Sequence, residues 1–450
     1  MNARASAPGA DGLGGPLPSG SGAVAPAAAF GTRNGLAYGL LGLPLAFVAL
    51  PLYVIFPNYY AREFGMPLAT LGAVLLGARI FDALIDPALG RLSDRLFSRS
   101  TGAVLGLGAA AALVLLLGFA LLFFPMVQTP GGLMVWASAM LVVTYTGYSA
   151  LAVAHQSWGA MLGGSETQRS RIVAWREGLG LLGVVTASIL PVVMGLQATT
   201  LVLAVLLALG WLAWSVAIRP VAAVRSAHSS EAAPSVWLPF RQTAFRRLLL
   251  VFMLNGIASA VPATLVLFFI QDRLAAPPRL EPLFLASYFL CAALSIPLWL
   301  LLVKRLGLAR SWLLGMLLAI AVFAWALQIG AGQHGAFLLV CALSGIALGA
   351  DLALPGAMLA GVIQSQGHAG RAEGLYFGWW NFATKLNLAL AAGLALPLLG
   401  LFGYAPGTRD AQALLALTIA YCLLPCLLKL AAAACLYGLV IRQPTTGAAP

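Results

Sequence analysis

The chain has 450 residues, 61% of them hydrophobic and 8% charged, with a formal net charge of +12 and a mean hydropathy of +0.95. A soluble fold cannot hide that much apolar side chain, since about half apolar is already the norm for globular domains. Apolar runs of about twenty residues recur, each long enough to cross a bilayer as a helix; because they are continuous rather than alternating, they exclude a membrane barrel and predict an all-α integral membrane protein.

In chain order, the Ala/Gly/Pro/Ser-rich stretch 1–33 comes first. It lacks the basic start and apolar core of a signal peptide and is expected to be a disordered cytoplasmic tail. About twelve spans follow, near 34–61, 68–94, 103–124, 133–160, 171–195 and 198–218, then 245–271, 281–303, 312–331, 335–364, 371–401 and 411–440. The longest polar interruption, 219–244, divides them into an N-terminal six-helix bundle (34–218) and a C-terminal one (245–441), with 442–450 a short tail. Two halves of six spans are the layout of the major facilitator fold, two pseudo-symmetric bundles. Pro44, Pro51 and Pro57 punctuate the first span, and Pro355 with Gly356 is expected to interrupt the tenth.

The odd-numbered loops carry Arg62, Arg273, Arg279 and Arg409, whereas the even-numbered loops and both tails carry most of the 25 Lys and Arg. That bias predicts a multi-pass protein of the cell membrane with both termini in the cytoplasm. The excess positive charge is therefore a topology signal, and no nucleic-acid partner is expected. Cys291, Cys341, Cys422, Cys426 and Cys435 all fall in apolar spans, where an odd set suits packing rather than a disulfide framework.

The second span contains "RIFDALIDPALGRLSDR", with Arg79, Asp82, Asp86, Gly90, Asp94 and Arg95. Asp82 and Asp86 are four residues apart and share one helix face. A lone carboxylate at bilayer depth is costly, and two adjacent ones repel unless a cation or proton lies between them. They are read as a coupling site for Na⁺ or H⁺, against the blander reading that Asp82 pairs with Arg79. The eighth span repeats the distance from a proline to a charged end: Pro87 to Asp94-Arg95 matches Pro297 to Lys304-Arg305. With the prolines aligned, Ile296 stands where Asp86 does and Ala292 where Asp82 does, so the scaffold repeats while the acids do not.

Lys385 lies about fourteen residues into the eleventh span, near mid-membrane, and wants a carboxylate; Asp82 and Asp86 are the candidates. Lys429 is a lesser candidate, interfacial or snorkelling. Glu373 is expected in a charge network with Asp94 or Arg371. Arg176, Asn255, Asp351, Trp379, Trp380 and Asn381 are candidate cavity linings, and His155 is either a proton relay or a packing residue.

These segments resemble the glycoside–pentoside–hexuronide:cation symporters. The similarity runs through "YGLLGLPLAF", "GARIFDALIDPALGRLSDR", "SWGAM", "RIVAWREGLGLLG", "RAEGLYFGWWNFATKLNLALA" and "GYAPGTRDAQALLAL". It implies that Asp82 and Asp86 are cation-site acids, that Lys385 is the helix-eleven lysine and that Arg176 lies near the solute. It likewise implies that Gly90, Asp94 and Arg95 belong to a gate between helices two and three, a role we extend to Arg79 and Glu373. The sugar-binding acids of that family fall near Leu43–Leu45 and Ala154, and a cation-site threonine falls near Leu151, so a galactoside is not expected. The predicted activity is symport of a small organic solute by a monomer in the lipid bilayer, with no cofactor beyond the coupling ion. Two alternatives remain open: an intramembrane Mg²⁺-dependent prenyltransferase-like enzyme, disfavoured by the lack of a second Asp-rich motif, and a non-transporting solute sensor.

Overall fold

The computed structural model describes residues 30–66, 68–220, 235–404 and 407–442. The expected disordered tail falls almost wholly outside them, as do most of the central loop and the end of the chain. The first helix, α1 (Thr32–Leu50), continues through a π-helical turn, Pro51–Ile55, into Phe56–Glu63. A proline at the start of the wide turn removes an amide donor, and the wider turn absorbs the misfit. Then come α2 (Leu68–Phe97), α3 (Thr101–Phe123), α4 (Pro130–Met161), α5 (Glu166–Pro191) and α6 (Val193–Ser215).

The second half holds α7 (Thr243–Arg273), α8 (Pro278–Leu306), α9 (Leu308–Ala326), α10 (His334–Ser365), α11 (Glu373–Leu401) and α12 (Ala411–Ile441). Ten of these are long and apolar enough to cross a membrane. The other two, α2 and α11, are 30 and 29 residues long and carry the internal charges. The expected spans therefore all appear as helices, several extended by a turn. Many starts are written as polar caps: Ser100, Thr129, Ser165 and Asp410 each accept the amide three residues on.

The break between the fifth and sixth spans falls at Gly195, whose φ of 77° is a conformation open to glycine and strained for other residues. One expectation needs correction. The tenth span is not interrupted: α10 runs unbroken through Pro355 and Gly356. Neighbouring helices cover the freed carbonyl in a packed bundle, which lets a proline sit inside without ending the helix.

Each half has its own aromatic core. In the first, Trp158 and Trp214 lie 5.3 Å apart and His155 stacks on Tyr38 at 4.3 Å. The His155 Nε2 lies 2.8 Å from the Tyr38 carbonyl and the residue is fully buried, which is the packing role rather than the relay. In the second, Phe252 stacks on Trp380 at 3.8 Å and Phe269 on Tyr421 at 4.3 Å.

The halves meet along two seams, α2 against α11 and α5 against α8 and α10. Glycines let the backbones approach. A Cβ at Gly378 would lie 2.6 Å from the Asp86 carbonyl oxygen, and one at Gly178 would lie 3.7 Å from Ile296. The alignment of Pro87 with Pro297 thus has a physical counterpart, since Asp86 faces a glycine of α11 as Ile296 faces a glycine of α5.

Candidate functional site

The α2–α11 seam brings the predicted charges together. Lys385 Nζ lies 2.7 Å from Asp82 Oδ2 and 2.8 Å from Asp86 Oδ2. It donates to Ser149 Oγ at 2.9 Å and to the Asp82 carbonyl at 3.3 Å. Ser149 in turn donates to Asp82 Oδ1 at 2.7 Å. Asp82 is held on both oxygens, by a lysine from the second half and a serine from α4. Asp86 is fully buried, meets the same ammonium through Oδ2 and has no hydrogen-bond partner on Oδ1. Two buried carboxylates thus share one ammonium, whose side chain is 20% exposed.

Arg79, expected at a gate and as the blander partner of Asp82, lies one turn before it on α2, while the Asp82 carboxylate is taken by Lys385 and Ser149. The presence of Ser149 was not legible in the sequence. A serine inside an apolar run is usually bonded to its own helix, and only the α2–α4 packing turns this one toward the acid.

At the end of the same seam, Asp94 accepts the main-chain amides of Gly374 at 2.6 Å and Leu375 at 2.8 Å. These are first-turn donors of α11 without an intrahelical acceptor, and a carboxylate also suits the positive end of the helix dipole. Gly90 packs directly on the Gly374 backbone. The gate motif thus joins the halves, with Asp94 holding the start of a helix rather than a basic side chain. Arg95 is exposed and stands outside that contact. Glu373 is buried; its Oε1 accepts the Gly370 amide at 2.6 Å and its Oε2 has no partner. It sits beside Asp94 in the chain of contacts through Gly374.

The second seam has a matching contact that sequence reasoning missed. Glu166, the first residue of α5, accepts the amide of Leu308, the first residue of α9, at 2.9 Å. Arg169 reinforces it by donating to Gln364 Oε1 at 2.8 Å. Charge at a helix start reads in a sequence as a local cap, and its cross-half partner is invisible there.

The remaining candidates divide. Asn255 and Asp351 do meet, and Lys429 joins them. Asp351 Oδ1 accepts from Asn255 (3.0 Å) and Trp312 (2.8 Å), its Oδ2 from Ser259 (3.2 Å) and Lys429 (2.9 Å). Lys429 also donates to Asn255 Oδ1 at 2.7 Å and is 4% exposed, so it is a core ion pair and not an interfacial lysine. Arg176 binds the adjacent Glu177 at 2.5 Å. Trp380 stacks on Phe252, and Asn381 is half-buried one turn before Lys385. The Trp379 indole donates to the Val236 carbonyl and packs on Trp237, tying α11 to the segment before α7. The positions where the sugar-binding acids were expected hold Leu45 and Ala154, both buried in apolar packing. Among the described residues no three His, Cys, Asp or Glu gather in a metal-binding group.

A twelve-helix bundle in two halves, joined by charge at one seam, defines a transporter of the major facilitator class. The chain belongs to the family described as MFS/sugar transport protein, whose profile matches residues 35–442. It is 28% identical over 143 residues to the inner membrane symporter YicJ of Escherichia coli (strain K12); the matched region spans 31% of this chain and 30% of that relative. Among solved structures it is similar to a bacterial homologue of the iron transporter ferroportin in an outward-facing state, with a TM-score of 0.65 and 17% identity, covering 90% of this chain and 99% of that one. It is also similar to the E. coli fucose:proton symporter, with a TM-score of 0.64 and 14% identity over 89% of this chain and 98% of that one. At those identities the two structures speak for the fold. Family and neighbours are transporters rather than enzymes, which removes the prenyltransferase reading.

Proposed function

We propose that the protein is a symporter that couples a proton or monovalent cation, at Asp82 and Asp86, to the movement of a small organic solute. The observation that carries this reading is Asp86: a fully buried carboxylate whose Oδ1 has no hydrogen-bond partner and which shares a single ammonium with a second acid. Leaving such a charge uncompensated is costly in an apolar interior, so the site gains free energy by taking up one cation. A proton fits better than Na⁺. The Lys385 ammonium already occupies the place between the two acids that a metal ion would need, whereas a proton needs only an oxygen of Asp86.

Lys385 belongs to the opposite half from the acids it bridges, so uptake of a positive charge weakens the pull that holds α2 on α11. That supplies a physical link between ion binding and the relative movement of the halves. The bias of Lys and Arg toward the even-numbered loops supports a reading with both termini in the cytoplasm, and the reading calls on no cofactor beyond the coupling ion.

The test is solute uptake into proteoliposomes under separately imposed pH and Na⁺ gradients. The wild-type protein should concentrate solute when a pH gradient is imposed. Asp86→Asn should retain exchange and lose at least about tenfold of the gradient-driven flux, which is the consequence of losing about 1.4 kcal/mol of coupling. Equal gradient-driven flux in the variant would remove Asp86 from the coupling site.

A further inference from the structure

The second half holds a partly open cavity of about 150 Å³ that belongs neither to the α2–α11 seam nor to the contact at Asp94. Its walls come from α7, α8, α9, α10 and α12, and Asp351 and Lys429 lie at its lining. Most of the wall is apolar and aromatic: Val266, Phe284, Leu285, Phe289, Phe323 and Leu348. An apolar cavity of about this volume in another protein stays dry and takes up benzene. Here the wall carries a polar end as well.

The hydrogen-bond inventory of that end decides what it can recognise. Asp351 already accepts four hydrogen bonds, which saturates a carboxylate. An ammonium has three donors, and Lys429 spends two, on Asn255 and Asp351. Tyr288 and Tyr421 also line the space. Ser259 is committed to Asp351 and Ser344 to the Cys341 carbonyl. The unspent capacity at this end is therefore the third Lys429 proton, which can only donate, and hydroxyls that can donate or accept. The Asp351–Lys429 pair is neutral, unlike the site at Asp86, so a ligand with a charge of its own would bring an uncompensated charge into an apolar wall.

We infer that this cavity is a binding site for a compact, uncharged molecule with a ring-sized apolar body and one hydroxyl or carbonyl oxygen as its head. The head accepts from Lys429 and from one of the two tyrosine hydroxyls, and the body packs against the phenylalanines. The site lies wholly within the second half, so it is formed without any contribution from Asp82, Asp86 or Ser149.

The experiment is equilibrium binding of benzyl alcohol to the full chain in lipid nanodiscs, with empty nanodiscs subtracted, followed by calorimetry or saturation-transfer NMR. Saturable binding above the empty discs is expected. Protonated benzylamine, of nearly the same size, should bind at least about tenfold more weakly, because it brings a cation to Lys429. Leu348→Trp, which fills the space, should abolish binding. The double variant Tyr288→Phe, Tyr421→Phe keeps the rings and removes two donors, and should weaken binding about fivefold, the usual worth of a neutral hydrogen bond. Elution profile and melting temperature check that each variant is folded. No saturable binding to the wild type, equal binding to folded Leu348→Trp, or benzylamine binding as tightly as the alcohol would each overturn the assignment. Binding is read at equilibrium with no gradient, so its failure leaves the coupling reading untouched, and the reverse holds for loss of gradient-driven uptake in Asp86→Asn.

Discussion

Lys385 is the residue on which the charge balance of the seam turns. Removing one member of a buried ion cluster leaves the rest uncompensated, a loss of about 3–5 kcal/mol. Lys385→Met should accordingly lower the melting temperature and abolish gradient-driven uptake. Adding Asp82→Asn to it removes one of the stranded acids and should restore much of the stability without restoring transport. A double variant no more stable than Lys385→Met would show that the acids are not what the lysine offsets. Asp82, Asp86 and Lys385 were legible in the sequence because charges in an apolar run are rare enough to demand a partner. Ser149 and Lys429 were not, since a serine in a helix has its own carbonyl to bond and a lysine near a helix end has water within reach.

Among the elements, α2 and α11 form the contact with the least tolerance. A side chain at position 90 would run into the Gly374 backbone, so Gly90→Leu should force the helices apart while each half stays folded. Ser93 is fully buried at this contact. In a cysteine-free background, Ser93→Cys should resist a membrane-impermeant thiol reagent when Gly90 is present and react at least about tenfold faster when Gly90→Leu is added. Equal reactivity would mean that the close approach does not depend on the glycine. The helices themselves were readable from apolar length alone, and their ends from Ser, Thr and Asp at the caps. What could not be read was the continuity of α10. The effect of an internal proline depends on what packs beside it.

Across the whole molecule, the two seams use one architecture for two tasks. The α2–α11 seam carries the acids and the lysine; at the α5–α8 seam Ile296 stands opposite Gly178 in an apolar contact. If the halves rock about both, closing the apolar seam permanently should stop transport as completely as damaging the charged one. Gly178→Cys with Ile296→Cys, in a cysteine-free background, should crosslink on oxidation and halt uptake, and a reductant should restore it. Undiminished uptake by the crosslinked protein would show that α5 and α8 stay together throughout the cycle. The sequence repeat around Pro87 and Pro297 hinted at this division, but the partner helices, and therefore the meaning of Ile296, needed the packing.

The Asp94 contact has a consequence for how the protein tolerates mutation. Its donors are main-chain amides of Gly374 and Leu375, which every residue except proline supplies. One side of the latch is therefore encoded by the backbone, and the other rests on a single carboxylate. Random substitution should find this contact fragile at position 94, limited by bulk at 374, and at the fully buried position 375 limited to apolar side chains. When Asp94 withdraws, water can satisfy the same two amides, so the open form forfeits little bonding and the two forms can lie close in free energy.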